Sequence, residues 1–256
     1  MCAVKSVSFP QEELRYHFRT NRMKTSKKAR TVGAKPKPSP GGSKVRQSIL
    51  DAYIARLQKT GQAHVSVHSL CLDLKISEKE FYGEFPSLSS VEKAFWRQWI
   101  DRIISAVTGG KEWDAFSAKE QYLAFLFAFA GEALERRSLL EQRFSKLTLL
   151  CSPKALEGLK DSFRDFAGGI IAHGMETGEI AHRGPLGNAY PEVLYIHWRL
   201  VLEYFLKDES TGFQRTDAFI EKTVELAFDL LRTQAIDSAA DLVRFLLPQI
   251  ANLGKR

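Results

Sequence analysis

Six histidines and three cysteines are the side chains in this chain best suited to metal ligation or nucleophilic attack, and neither set has the spacing for it. His64 and His68 stand four apart, as in a helical two-histidine site. Ser66 lies between them, however, and is placed to start a helix there. His17, His173, His182 and His197 are scattered. Cys2, Cys71 and Cys151 are odd in number and far apart, which argues against a disulfide framework or a zinc site and suits a reducing cytoplasm. No Gly-x-Ser-x-Gly elbow, phosphate loop or dinucleotide fingerprint occurs. Catalysis is therefore the least favoured function class, and no catalytic residue, metal or cofactor is expected.

Charge and aromatic content carry more. Residues 1–47 hold 12 Lys/Arg against 2 Asp/Glu, whereas the remainder holds 25 against 28. The basic character belongs to an N-terminal arm, and such asymmetry points to a polyanion, either nucleic acid or an anionic membrane surface. Lys35-Pro-Lys-Pro-Ser-Pro-Gly-Gly42 excludes a helix and predicts an extended linker. The arm over 1–42 is read as disordered, with an amphipathic piece around Phe9–Phe18. Two readings stay open for it: a solvated tail, or a segment that lands on phosphates. In the C-terminal part, Phe125, Phe129, Phe144, Phe163, Phe166, Tyr195, Trp198, Tyr204 and Phe205 recur at roughly helical spacing. They either fill a bulky core or line a pocket for a flat, apolar ligand with His173, His197 or Arg199 as its polar handle. The candidate pocket set is Phe125, Phe129, Phe144, His173, Tyr195 and Trp198.

The elements that must position these residues read as helices from residue 43 onward, with no strand-like alternation. Ser43 can cap a helix with Val45, Ile49, Ala52, Tyr53 and Leu57 on one face and Gly61 as its stop. Ser66 caps a second with Val67, Leu70, Cys71 and Leu74. Ser77-x-x-Glu80 is a capping box that opens a third, with Phe81 and Phe85 inward. The link Lys75-Ile76-Ser77 fits a helix-turn-helix. A fourth helix, Leu88–Val107, bears two apolar stripes, one through Leu88, Val91, Phe95, Trp99 and Ile103 and one through Trp96, Ile100, Ile104 and Val107. It must pack against two partners and so connects an N-terminal bundle to a larger one. Further helices are expected near Phe116–Arg137, Leu139–Leu150, Lys154–Glu176, Tyr190–Leu206, Asp217–Thr233 and Ile236–Leu247. Tyr122–Ala130, the longest apolar run, suits a buried central helix and is too short for a bilayer. Gly168-Gly169 predicts a kink or close helix crossing, Gly178 a helix stop, and His182–Asn188 a loop. The start lacks an apolar signal core, so a cytoplasmic location is expected.

Residues Val45–Phe95 resemble the reading head of the tetracycline-repressor family. The matching features are the first-helix stripe, Gly61, the Ser66 cap, and Ile76-Ser77 followed by Phe81-Tyr82-x-x-Phe85. Met175-Glu-Thr-Gly-Glu-Ile180 and the helix count suit the family too. The resemblance implies an all-α protein with three parts: the arm over 1–42, a three-helix DNA-binding domain over 43–90, and a ligand-binding and dimerisation bundle over 91–256. It also implies site residues. Ser66, Ser77 and Tyr82 would meet phosphates, Glu78 and Lys79 would lie at the major groove, and Lys44 and Arg46 would flank the backbone. Some positions depart from the family. Lys75 stands where it has glycine, so a left-handed turn there carries strain. Leu74 replaces a small residue, and Leu88 replaces a phosphate-binding lysine. Glu78, Glu80 and Glu84 set acidic charge on the reading helix; only Glu80 has a capping role to explain it.

The function read from all this is that of a ligand-responsive, DNA-binding regulator rather than an enzyme. It would act as a homodimeric repressor on double-stranded DNA. Its effector is a small hydrophobic molecule, and no stable membrane insertion is expected. The alternative is a protein of the same fold that carries a lipid or other apolar ligand at a membrane surface without sequence-specific DNA binding.

Overall fold

The computed structural model describes residues 44–60, 65–144 and 156–233, and among them every regular element is helical. Nine α-helices follow in order among these residues: α1 (Lys44–Thr60), α2 (Val67–Leu74), α3 (Glu78–Glu84), α4 (Leu88–Thr108), α5 (Ala118–Glu135), α6 (Arg137–Phe144), α7 (Glu157–Glu176), α8 (Tyr190–Lys207) and α9 (Gln214–Arg232). The arm over 1–42, the Ser43 cap, the Gly61 stop, the helix past residue 144 as far as Leu150 and the last helix over 236–247 lie outside the described residues.

Local chemistry explains where the helices begin. Ser66, Ser77, Ser87 and Ser117 each accept from the backbone N–H three residues on, where Ser69, Glu80, Ser90 and Glu120 accept in return from the capping residue's N–H. Each box satisfies two of the backbone donors a helix start leaves without partners. Ser117 therefore sets the start of α5 at Ala118, two residues later than apolar spacing suggested. At the other end of the bundle, Asp208 accepts from the N–H of Ser210 and from the N–H and hydroxyl of Thr216. That anchor extends α9 back to Gln214.

Both stripes of α4 are turned inward, with Leu88, Phe95 and Ile104 half-buried. Val91, Trp99 and Ile103 on one side and Trp96, Ile100 and Val107 on the other are closed to solvent. The helix packs on α1, α5 and α7, which makes it the shared wall of the N-terminal trio and the C-terminal bundle. The close crossing lies at Gly158 rather than at Gly168-Gly169. A Cβ on Gly158 would sit 2.8 Å from the Lys93 carbonyl oxygen of α4, whereas one on Gly168 or Gly169 would meet nothing within 4 Å. Gly174 makes a second close approach, with Ile180 at 2.6 Å from such a Cβ. The pair in mid-helix faces open space, so sequence adjacency of two glycines misplaced the crossing. Gly178, at φ 77°, follows the end of α7 as expected.

Every residue of Tyr122–Ala130 is buried or half-buried in the centre of the bundle. The segment expected as a Gly/Pro loop contains a 3-10 helix, Gly184–Ala189. Just before it the buried Arg183 donates to Tyr190 Oη (2.6 Å) and the Leu231 carbonyl (3.0 Å), and also reaches Thr233 O. Its cation thus closes the negative end of α9.

Candidate nucleic-acid interface and its link to the bundle

Helices α2 and α3 are joined through Lys75, whose φ of 54° and ψ of 41° place it in the left-handed region. The Lys75 N–H donates to Leu72 O (3.3 Å) and the Ile76 N–H to Cys71 O (3.1 Å), the paired bonds of a Schellman stop. The expected strain at this non-glycine residue is present. The turn brings the Ser77 cap directly after α2, and Phe81 and Phe85 seal α3 onto the core at 0 % and 1 % exposure.

This arrangement leaves one face of α3 in solvent. Glu78, Lys79 and Tyr82 are exposed there, as are Ser66 and Ser77 at the two helix starts and Lys44 at the start of α1. Tyr82 is 53 % exposed although its ring packs edge-on against the buried Phe81. Two helix starts, two lysines and one phenol of the trio are therefore open to solvent, groups of the kind that donate to phosphate oxygens.

Arg46 is different. Its guanidinium donates to the Glu84 carbonyl (2.7 Å), lies 3.8 Å from the Glu84 carboxylate and covers the Phe85 ring at 4.0 Å. It clamps the end of α3 to α1 rather than presenting an open fork. The same contact accounts for Glu84, whose charge faces α1. Glu78 lies 3.5 Å from His68 Nδ1 across the α2–α3 corner. The Ser77 N–H and hydroxyl donate to Glu80 and hold its carboxyl below the usual carboxylate pKa. Each of the three glutamates thus has a neighbour within the trio, which spacing along the chain could not reveal for Glu78 and Glu84.

Glu92 of α4 is 1 % exposed and gathers three donors. Its Oε1 accepts from Trp96 Nε1 (3.1 Å) and Arg143 Nε (2.6 Å), and its Oε2 accepts from the Tyr53 hydroxyl (3.2 Å). Burial first, then the Glu92 charge and hydrogen bond, push the Tyr53 pKa up; Arg143 pulls the other way and loses. Tyr53 thus stays a donor. Neither Glu92 nor Arg143 stood out in the sequence, because nothing local marks a glutamate in an amphipathic helix as buried.

The aromatic residues expected to line a pocket form a contiguous packed core. Phe125, Phe129, Tyr195 and Trp198 are at most 2 % exposed and share ring contacts through Phe129–Trp198 (5.1 Å) and Tyr195–Trp198 (5.7 Å). His173 stands apart, its Nε2 3.1 Å from the Phe116 carbonyl. A cavity of about 110 Å³ is lined by Phe144, Arg199, Leu202 and Leu206, with Glu141, Glu203 and Lys207. Phe144 is the member of the expected set that reaches it. Trp99 Nε1, Trp198 Nε1 and Ser162 Oγ are buried with no hydrogen-bond partner among the described residues. His197 lies with Nδ1 2.9 Å from the Tyr122 hydroxyl and Nε2 2.9 Å from Thr223 Oγ1, and burial lowers its pKa to about 4. Among the described residues no metal-ligand cluster occurs, and no helix is long and apolar enough to cross a membrane.

Comparison with known proteins agrees with this architecture. Residues 121–246 match the family model described as tetracyclin repressor-like, C-terminal domain. No curated protein matches the chain. Among solved structures, Salmonella enterica GusR is 18 % identical with a TM-score of 0.54, covering 73 % of this chain and 95 % of that one. The transcriptional regulator FadR from Bacillus subtilis, solved with stearoyl-CoA, is 15 % identical with a TM-score of 0.52, over 71 % and 97 % of the two chains. The fatty acid degradation regulator FadR from Bacillus halodurans is 12 % identical with a TM-score of 0.52, over 71 % and 97 %. At such identities the likeness is one of fold.

Proposed function

From a chain that belongs to the tetracycline-repressor family, we propose a homodimeric, ligand-responsive repressor that reads double-stranded DNA through α2 and α3. The observation that carries this reading is the exposure of Ser66, Ser77, Lys79 and Tyr82 on the two helices joined by the left-handed turn at Lys75. Ser66 and Ser77 bring helix N-termini to phosphates, Tyr82 donates to a phosphate, and Lys79 enters the major groove with Glu78 beside it. Lys44 flanks the backbone, while Arg46 serves by holding α3. The basic residues of 1–47 supply long-range attraction that a reading helix with glutamates lacks.

Dimer formation accords with apolar residues left exposed on the last two described helices: Val193 and Leu200 on α8, Leu226 and Leu230 on α9. Spacings of seven and four put each pair on one helix face, as a four-helix interface requires. For the effector, the two indole N–H groups of Trp99 and Trp198 flank Phe129 and have no acceptor among the described residues. A flat apolar molecule with a hydrogen-bond acceptor would recover the penalty of such donors, roughly 1–3 kcal/mol each. It would enter at the cavity beside Phe144 and reach Trp198, Phe129, Phe125 and Tyr195 by displacing those packed rings. The bundle over 91–256 would thus bind ligand and partner subunit, and the trio over 43–90 would bind DNA.

The test is selection from a random duplex pool by the full protein, followed by titration of the selected site across salt. Enrichment of a pseudo-palindrome is expected, with anionic vesicles bound no better than by a basic peptide. Lys79→Ala and Tyr82→Phe should weaken the site, and a chain starting at Gly42 should flatten the salt slope by about 0.9 for each phosphate no longer neutralised. Recovery of no sequence, together with tight vesicle binding, would replace the repressor by the membrane-surface reading.

A further inference from the structure

Glu92 ties together three helices that are distant in sequence. Tyr53 comes from α1 of the reading head, Trp96 and Glu92 itself from α4, and Arg143 from α6 of the bundle. A carboxylate 1 % exposed is tolerable only while its donors stay in place, since an isolated buried charge is heavily penalised. The hub is therefore all-or-none. Withdrawing Arg143 leaves the charge unpaired, and the head must then shift to let water reach it.

The hub is also joined to the bundle's aromatic core. The Trp96 ring packs edge-on against Phe144 (5.4 Å) and near Trp99 (5.6 Å); Trp99 meets Phe129, which meets Trp198. Phe144 is the residue after Arg143 and lines the 110 Å³ cavity with Arg199 and Leu202. A group that occupies the cavity must push Phe144, and the backbone that carries Phe144 carries Arg143. In a close-packed interior such a shift has discrete outcomes rather than a continuous give.

We propose that the Glu92–Arg143 pair, with Tyr53 bonded to the same carboxylate, is the joint that seats the reading head on the bundle and opens when the cavity beside Phe144 is filled. The consequence for DNA rests on the repressor reading above; the joint itself does not. Glu92 and Arg143 are positioning residues, remote from the exposed face of α3.

Amide exchange on the full-length protein tests this. Arg143→Met should speed exchange in α1 on the order of 100-fold while leaving α8 and α9 unchanged. The double variant Glu92→Gln with Arg143→Met removes both charges; the amide oxygen can accept from Trp96 Nε1 while the amide N–H donates to the Tyr53 oxygen, so protection of α1 should return. Leu202→Phe, or Leu206→Phe from the half-buried edge of the cavity, should speed α1 exchange in the parent and add nothing to Arg143→Met. Equal acceleration in α8 and α9, or a double variant worse than either single change, reduces the pair to a general structural bond. An unchanged α1 in both cavity-filling variants removes the coupling. On selected DNA, Arg143→Met should weaken binding about tenfold and the double variant should recover it. If the parent protein selects no DNA, the repressor reading fails while the exchange data still decide the joint.

Discussion

Lys75→Gly should make this protein more stable, against the usual direction for a glycine substitution. Lys75 sits at φ 54° and ψ 41° at the end of α2, where a Cβ crowds the backbone. An L-residue in that region costs roughly 1–2 kcal/mol relative to glycine. Glycine's larger freedom in the unfolded chain gives back about 0.4–1 kcal/mol. Little else changes, because the Lys75 side chain is exposed and makes no hydrogen bond or ion pair among the described residues. The net gain is about 0.5–1 kcal/mol, which for a chain of this size raises the thermal midpoint by about 1–4 °C. Circular dichroism melts of the parent, Lys75→Gly and Lys75→Ala at one protein concentration make the comparison. The alanine variant keeps the Cβ and should show no gain. A glycine variant no more stable than the parent, or an alanine variant that gains equally, refutes the assignment of strain to this turn.

Two further outcomes follow from packing and burial. Gly158→Ala should destabilise by about 1–3 kcal/mol, because the new methyl meets the Lys93 carbonyl oxygen at 2.8 Å and must push α7 off α4. Gly168→Ala, in open space within the same helix, should instead gain up to about 1 kcal/mol; urea midpoints shifted in the same direction for both would contradict the crossing point. His197, with its pKa lowered from 6.5 to about 4 by burial, stays neutral in the folded protein while the unfolded chain takes up a proton near pH 6.5. Stability should thus be flat above that pH and fall by about 3 kcal/mol between pH 6.5 and 4 on this account alone. His197→Gln should show a correspondingly shallower loss over that window in paired urea melts, and parallel curves would rule out the histidine as the source.

The N-terminal helical trio was legible because its signals are local. Ser66, Ser77 and Glu80 announce helix starts through bonds to backbone three residues away, and the i, i+4 pair Phe81 and Phe85 announces which side of α3 is buried. The two stripes of α4 likewise required partners on two sides, and the trio and the bundle supply them. Elsewhere local pattern misled. Gly168-Gly169 drew attention by adjacency, while the close crossing belongs to Gly158. Arg46 had the type and place of a phosphate ligand, yet Phe85 and Glu84 hold it. Of the six residues put forward for a pocket, four pack in one aromatic cluster, Phe144 edges a small cavity and His173 stands apart, a division that helical spacing leaves open.

The sequence by itself determined the class of the protein: helices, the serine-capped starts of α2 and α3, the helix-turn-helix, the connector and the family resemblance. All of these depend on interactions between residues three or four apart, or on the total apolar content of a segment. Only the tertiary structure decided which polar residues have partners. Tyr53 and Glu92 are 39 residues apart, Arg143 and Glu92 are 51, and Arg46 and Glu84 are 38. Whether such residues meet depends on helix crossing angles and the bulk of every side chain between them, and a crossing is set by the whole packed interior rather than by either helix.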